Sequence, residues 1–445
     1  MTVSFPPVQA ATAGSPTVRC GDAPITGTAG SDETDAGWKA GHVLVACDKF
    51  KGTLSAREVA ACIADGIRAV APRVPVVAVP VADGGDGTLV AVEESGFEGV
   101  PVTVDGPTGE AVVTRYAARE GVAVVELADA CGLVRLPGGR LAPLEASSRG
   151  VGQVLAAALS AGYRDIVLAV GGSASSDGGA GMMTALGAVL RDRNGRVLPP
   201  GGGALADLET LDLSGLHPAL ADARVVLASD VDNPLLGTQG AVAVYGPQKG
   251  AADATAFRLE EGLRRWAQVV SAVTGQDHAA RPGAGAAGGV GFAALALLGA
   301  RMQPGIELLL DLVGFEEKLR GAWLVVTGEG SLDEQTLQGK TPAGVARAAR
   351  AAGVRVVAVC GRSELAADRA RGAGIDQVFA LTDLEPDPEL CMAHAGPLLT
   401  SLAGDVARAC LRGTGASGSQ EQSRCLRIIL PRQARHGLDR PSVRR

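Results

Sequence analysis

HVLVACDKFKGTLSAREVA (42–60) carries the fold in miniature. After His42, five residues form a continuous apolar run, the pattern of a strand buried on both faces. A short polar loop, Asp48 to Gly52, follows at once. Ser55 then opens a helix, and Glu58 three residues on completes a capping box. Strand, polar loop and helix in that order is the repeating unit of an α/β protein.

The unit recurs along the chain. VPVVAVPVA (74–82), DIVLAVGG (165–172), ARVVLASDV (223–231), AWLVVTGEG (322–330), VRVVAVCG (354–361) and DQVFALTD (376–383) read as strands. VPVTVDG (100–106), AVVTRYAA (111–118) and GVAVVELA (121–128) read as three successive strands. Helical patterns cover 87–95, 147–161, 178–190, 251–273, 289–300, 342–352 and 387–411. Apolar, β-branched runs alternating with helices predict parallel sheets covered on both faces. With 445 residues, the chain is too long for one ordinary core.

Composition narrows the function classes. Lys and Arg number 41 against 48 Asp and Glu, a formal charge of −7, which argues against nucleic acid as the main partner. No apolar run reaches the roughly 18 residues a membrane helix needs, and no signal-peptide pattern opens the chain. The eight cysteines form no CxxC pair and no Cys/His cluster, the usage of buried reduced thiols in a cytoplasmic protein. Residues 1–40 read as a disordered leader. GTGASGSQ (413–420) begins a flexible tail, 413–445, with seven arginines.

Five strands end in Gly-rich or acidic loops: CDKFKG (47–52), VADGGDGT (81–88), VGGSASSDGGAG (170–181), SDVDNP (229–234) and TGEGSLDE (327–334). Ligands of open α/β sheets bind outside the carboxyl ends of strands, so these loops are where chemistry is expected. Asp48 can hold a hydroxyl or a metal, and Lys49 or Lys51 can neutralise phosphate or carboxylate. Asp83 and Asp86, among glycines, suit Mg²⁺ or a substrate hydroxyl. Ser173, Ser175, Ser176 and Asp177 sit where backbone N–H groups can form an anion cradle. Asp230 and Asp232 offer oxygen ligands for Mg²⁺, with Lys249 nearby in sequence. Glu329 or Asp333 can orient an acceptor hydroxyl, and Lys340 can pair with phosphate. Each set has a plainer reading as turn and cap residues, or, for the glycines, as connectors and hinges.

Two nucleotide motifs are weaker. GKT (339–341) lacks the upstream glycine of a P-loop, because position 334 is Glu. Gly283, Gly285 and Gly288 fit GxGxxG, but no strand precedes them, which favours a generic phosphate loop over a dinucleotide fingerprint. As a set, anion cradles, carboxylates and lysines at strand ends match what phosphoryl transfer demands: positioning, a metal, cations on the phosphates and a carboxylate on the attacking hydroxyl. A nicotinamide-dependent oxidoreductase and a non-catalytic sugar-acid sensor are the competing readings.

These loops, with VDGPTG (104–109), GPQKGA (246–251), PGAGAAGGVGFA (282–293), GIELLLDL (305–312) and GEGSLDEQTLQGKTP (328–342), resemble the bacterial glycerate kinase family, in order, over about 42–411. Cys47 stands where relatives often have Pro, and Lys49 where Ser is common. Ser175 and Ser176 occupy a stretch that is often Thr-Asn. The resemblance implies ATP- and Mg²⁺-dependent phosphorylation of D-glycerate to 2-phosphoglycerate, or in some relatives the 3-phosphate, and it leaves a homodimer open. It implies two α/β domains with the active site in the cleft between them. One is a discontinuous Rossmann-like parallel sheet (41–85 plus 285–412) and the other is inserted (86–284). On this reading Asp333, Glu329, Asp48 and Asp177 are the expected catalytic carboxylates. Lys51, Asp83, Asp86, Ser173, Lys249, Lys340, Gly283, Gly285 and Gly288 are the substrate and phosphate set, and Asp230 and Asp232 the metal ligands.

Overall fold

The apolar runs become strands, and the computed structural model describes them within residues 41–410; the expected leader and Arg-rich tail lie outside the described residues. In chain order the strands are β1 His42–Cys47, β2 Val76–Ala78, β3 Glu98–Asp105, β4 Ala111–Arg119, β5 Val122–Glu126, β6 Asp165–Ala169, β7 Val189–Asp192, β8 Leu208–Asp212, β9 Arg224–Ala228, β10 Arg301–Gln303, β11 Ala322–Leu332, β12 Arg355–Ser363 and β13 Gln377–Ala380.

The first sheet has the order β13-β12-β11-β1-β2, with every pairing parallel. Alternate residues of β1 face two cores. Val43 and Val45 join Ile63, Ile67 and Leu399 from the helices Ala56–Val70 and Ala395–Cys410. Leu44 and Ala46 join Val345 and Ala349 from the helix Thr341–Ala351. The capping box forms: Glu58 N–H donates to Ser55 Oγ at 3.3 Å and Ser55 N–H donates to Glu58 Oε2 at 2.8 Å.

The second sheet has the order β10-β9-β6-β5-β4-β3 and is mixed. It is parallel from β10 to β5 and antiparallel across β5, β4 and β3. Chain length between strands decides this. A parallel neighbour needs a long crossover, whereas the tight turn at 106–110, closed by Gly106 N–H to Glu110 O at 2.6 Å, permits only a hairpin. The β10 strand pairs with β9, and the helix Ala286–Leu297 packs in the core around Trp266 and Phe292, so residues 286–303 lie with this second sheet.

Three elements differ from the sequence expectation. The run 74–82 yields only β2, because Pro75 and Pro80 lack the N–H of a ladder donor and confine it to a short edge strand. The helix expected over 178–190 stops at Ala185. Gly187 turns at φ +108°, where a Cβ would lie 2.0 Å from Gly215 O, and β7 begins two residues later. The pattern over 387–411 divides into helices Pro388–Ala393 and Ala395–Cys410, interrupted at His394.

Candidate active site

The carboxyl ends of β1, β6, β9 and β11 and the loop after β2 deliver their residues to two adjoining cavities. The larger, about 850 Å³, is lined by Asp48, Lys51, Asp83, Asp86, Glu329, Asp333 and Lys340. The smaller, about 230 Å³, is lined by Asp83, Ser173, Asp230, Lys249 and Gly288. Both contain Asp83, Gly85, Gly171 and Gly172 in their walls, so the loops of the two sheets meet at the junction. That meeting requires glycine: a Cβ on Gly171 would lie 2.4 Å from Gly85 Cα.

Burial and mutual repulsion set the charges. Asp48 accepts from Lys49 N–H at 2.7 Å and from Thr341 Oγ1 at 3.2 Å, yet burial, and then the charge of Asp83, push its carboxyl up to about 7. Asp230 is also raised to about 7, first by burial and then by Asp83. Its Oδ1 accepts from Gly305 N–H at 2.8 Å, while its buried Oδ2 has no partner. Burial raises Glu329 as well, opposed by the Thr336 hydroxyl it accepts from and by Lys340. Asp333 Oδ1 accepts from the N–H groups of Gln335 and Thr336 at 2.9 and 3.1 Å, which shapes its turn. Lys49 Nζ donates to Asp86 O at 2.6 Å and pairs with the Asp86 carboxylate.

Lys249 is 3 % exposed. Its Nζ donates to Ser175 O at 2.5 Å and reaches Ser173 Oγ at 3.5 Å. Burial lowers this ammonium to about 8, against the opposing pull of Asp177.

Four expected site residues stand apart from both cavities. Asp177 is fully buried, and its carboxylate accepts from Ser148 N–H at 2.8 Å, Ser148 Oγ at 2.9 Å, Gly179 N–H at 3.1 Å and Gly181 N–H at 3.2 Å. Buried behind these donors and outside both cavity walls, it ties the Ser/Gly loop to Ser148. Asp232 is exposed and does not join Asp230 in the cavity wall. Gly283 and Gly285 serve close packing: a Cβ would lie 2.3 Å from Met302 Sδ and 2.3 Å from Pro234 O, respectively. Of the GxGxxG glycines, Gly288 alone lines a cavity, which removes the dinucleotide fingerprint.

The matches to known proteins follow the same residues. The signature of the family described as "Glycerate kinase family" matches residues 43–411. The chain belongs to the glycerate kinase family. It is 40% identical over 368 residues to the glycerate kinase of Halalkalibacterium halodurans, covering 82% of this chain and 97% of that one. It is 41% identical over 344 residues to the glycerate 2-kinase of Escherichia coli, covering 76% and 90%. The crystal structure of the Salmonella typhimurium protein assigned as glycerate kinase 2 superposes with a TM-score of 0.71 at 38% identity, over 83% of this chain and 98% of that one. A mixed α/β fold and a kinase active site are therefore family features of this chain.

Seen as a glycerate kinase site, the cleft has parts that sequence reasoning passed over. Glu126, 4 % exposed at the end of β5, accepts from Gly87 N–H at 3.1 Å and Leu89 N–H at 2.8 Å, fixing the start of the helix Thr88–Glu94 beside Asp86. Burial pushes its carboxyl up to about 7. Arg362 adds a cation to the larger cavity. Neither lies in a motif; a lone acidic residue ending an apolar strand was the only signal for Glu126.

Among the described residues, no group of three or more His, Cys, Asp or Glu stands in metal-binding geometry, and no helix is long and apolar enough to cross a membrane. The donor chemistry still suits Mg²⁺, which keeps several waters and takes one or two carboxylates plus phosphate oxygens. Asp48 and Asp83 could form such a pair, Asp83 lying close enough to raise the cost of charge on Asp48.

Proposed function

We propose that the protein is an ATP-dependent D-glycerate kinase forming 2-phosphoglycerate. The observation that carries this reading is the junction at Gly85 and Gly171, where a lysine-lined cavity and a smaller cavity holding an unpartnered carboxylate oxygen open onto the same backbone. The name of the Escherichia coli relative supports the 2-phosphate.

Phosphoryl transfer asks the protein for alignment and charge rather than covalent chemistry. Lys51 and Lys340 neutralise the phosphates, aided by Arg362. Asp48 and Asp83 would hold Mg²⁺. The ion, when bound, offsets charge on the transferring group. Asp230 accepts the proton of the attacking hydroxyl through Oδ2, and a carboxyl near 7 suits that duty. A P–O bond forms to the acid, the P–O bond to ADP breaks, and the hydroxyl proton rests on Asp230. Asp177 keeps a structural role, supported by its full burial and its hydrogen bonds to Ser148 and the Ser/Gly loop.

The two sheets are the cores of two domains, with the chain leaving the first near residue 84 and returning near 304. This places the second boundary later than the expected 285, supported by the pairing of β10 with β9. Six free cysteines among the described residues support a reducing, cytoplasmic setting. Incubation with D-glycerate and ATP, with ADP release followed by a coupled assay, tests the reading. Turnover that needs both substrates supports it, and ATP-independent behaviour or no turnover rejects it.

A further inference from the structure

We propose that the two cavities divide the substrates: the smaller takes the three-carbon acid with its carboxylate on Lys249, and the larger takes the nucleotide with its base against Val134 and Met392. This rests on the kinase reading and adds where each substrate sits.

Size separates the two. Sites for drug-sized ligands run from about 300 to 1,000 Å³. The larger cavity, about 850 Å³, falls in that range, and the smaller, about 230 Å³, falls below it. A nucleoside triphosphate fits the first and a short hydroxy acid the second.

Charge separates them too. Lys249 is a buried ammonium whose recorded partners, Ser175 O and Ser173 Oγ, are both neutral. Asp177 acts on it without a hydrogen bond; a buried cation with no directly paired anion is costly, and a substrate carboxylate supplies that pairing. Asp230 Oδ2, buried and unpartnered in the same cavity, supplies the acceptor for a hydroxyl. One anion-binding and one hydroxyl-binding group in a small enclosure is the recognition pattern of a hydroxy acid.

The larger cavity has the complementary split. Its polar part sets Lys51, Lys340 and Arg362 among carboxylates that include Asp48 and Asp83. Apolar side chains line another part of its wall, and two of them are unusually bare: Val134 is 76% exposed and Met392 is 56% exposed. Val134 lies in the 3-10 turn Leu133–Arg135, beyond the short helix Leu127–Cys131 that follows β5, and Met392 in the helix Pro388–Ala393, so each sheet's neighbourhood contributes one. Bare aliphatic and thioether surface beside lysines and a carboxylate pair able to take Mg²⁺ suits a flat heterocycle joined to a triphosphate. With the nucleotide so placed, its terminal phosphate reaches the Gly85–Gly171 junction, where the acid's hydroxyl arrives from the other side.

Steady-state kinetics with both substrates varied test the division. Lys249→Met keeps the side-chain volume and removes the charge. It raises KM for D-glycerate on the order of 10- to 100-fold, the worth of a charge-assisted bond, and leaves KM for ATP within about threefold. Val134→Glu, at an exposed position, raises KM for ATP by about tenfold or more through repulsion of the phosphates and loss of apolar contact, and leaves KM for D-glycerate unchanged. The opposite pairing, or both constants moving together in folded variants, overturns the proposal. Should Lys249→Met fail to fold, the wild-type protein decides: saturating D-glycerate leaves a fluorescent ATP analogue bound, and displacement overturns the division. Absence of any wild-type turnover with D-glycerate and ATP rejects the kinase reading itself, and the division falls with it. Turnover with unpaired KM effects rejects the division alone.

Discussion

Gly171 approaches Gly85 so closely that a methyl group on it would come within 2.4 Å of the Gly85 Cα. The contact joins the loop after β6 to the loop after β2, one from each sheet. Atoms of backbone cannot move aside as a flexible side chain can. Gly171→Ala therefore separates the two loops at the junction of the cavities. It lowers kcat/KM by at least about tenfold, as misplacement near 1 Å does. Circular dichroism is expected to report an intact fold, and wild-type kinetics in the variant would remove the junction from the account.

Asp230 is the proposed proton acceptor. Asp230→Asn is expected to cut kcat by about 10²-fold or more while the protein stays folded. The free-enzyme carboxyl titrates near 7, and only its ionised form accepts a proton. The wild-type kcat/KM therefore falls at least about tenfold per pH unit below that point and levels off above it. In Asp230→Asn the limb becomes shallower, leaving the part carried by Asp48, whose carboxyl is also raised to about 7. A pH profile unchanged by the substitution assigns the proton to another group.

Asp177 provides the contrast. Its carboxylate ties Ser148 to the Ser/Gly loop. Asp177→Asn replaces one acceptor oxygen with a donor that faces N–H groups, at a cost of roughly 1–3 kcal/mol. Thermal unfolding shifts down by several degrees, while turnover per folded molecule stays within about threefold. A loss near 10²-fold with unchanged stability would restore it to the catalytic set.

Glu126 links the site to pH-dependent stability. Its folded carboxyl is raised from 4.5 to about 7, so between those values the native state holds a proton that the unfolded state releases. Its contribution to stability is full below about 4.5 and is lost as pH rises through about 7. Glu126→Gln removes this dependence. Relative to wild type, the variant gains roughly 1–3 kcal/mol between pH 4 and pH 8, whatever the fixed cost of losing one acceptor. Parallel stability curves for the two proteins would contradict the buried titration.

Much of this was legible in the residues because it is local. The Ser55–Glu58 capping box, the apolar strand runs and the loops at their carboxyl ends are written in short windows. Those windows also located Asp48, Asp83, Glu329 and Lys340, which the fold gathers. What the windows lack is tertiary. Asp177 reads as a loop carboxylate, and only the packing of Ser148 against it reveals a tie. Gly283 and Gly285 read as a phosphate loop until Met302 and Pro234 fill the space in front of them. Glu126 and the bare Val134 carry no motif; their meaning comes from the neighbours that the second sheet brings. The mixed character of that sheet follows from two short turns, which strand-by-strand reading of apolar runs does not weigh.

Phosphorus NMR of the product made from ATP and D-glycerate, by the wild-type protein and by Asp230→Asn, tests the central claim most directly. The account predicts ADP together with 2-phosphoglycerate from the wild type and only traces from the variant. ADP absent from the wild-type reaction, or equal product from both proteins, would contradict it.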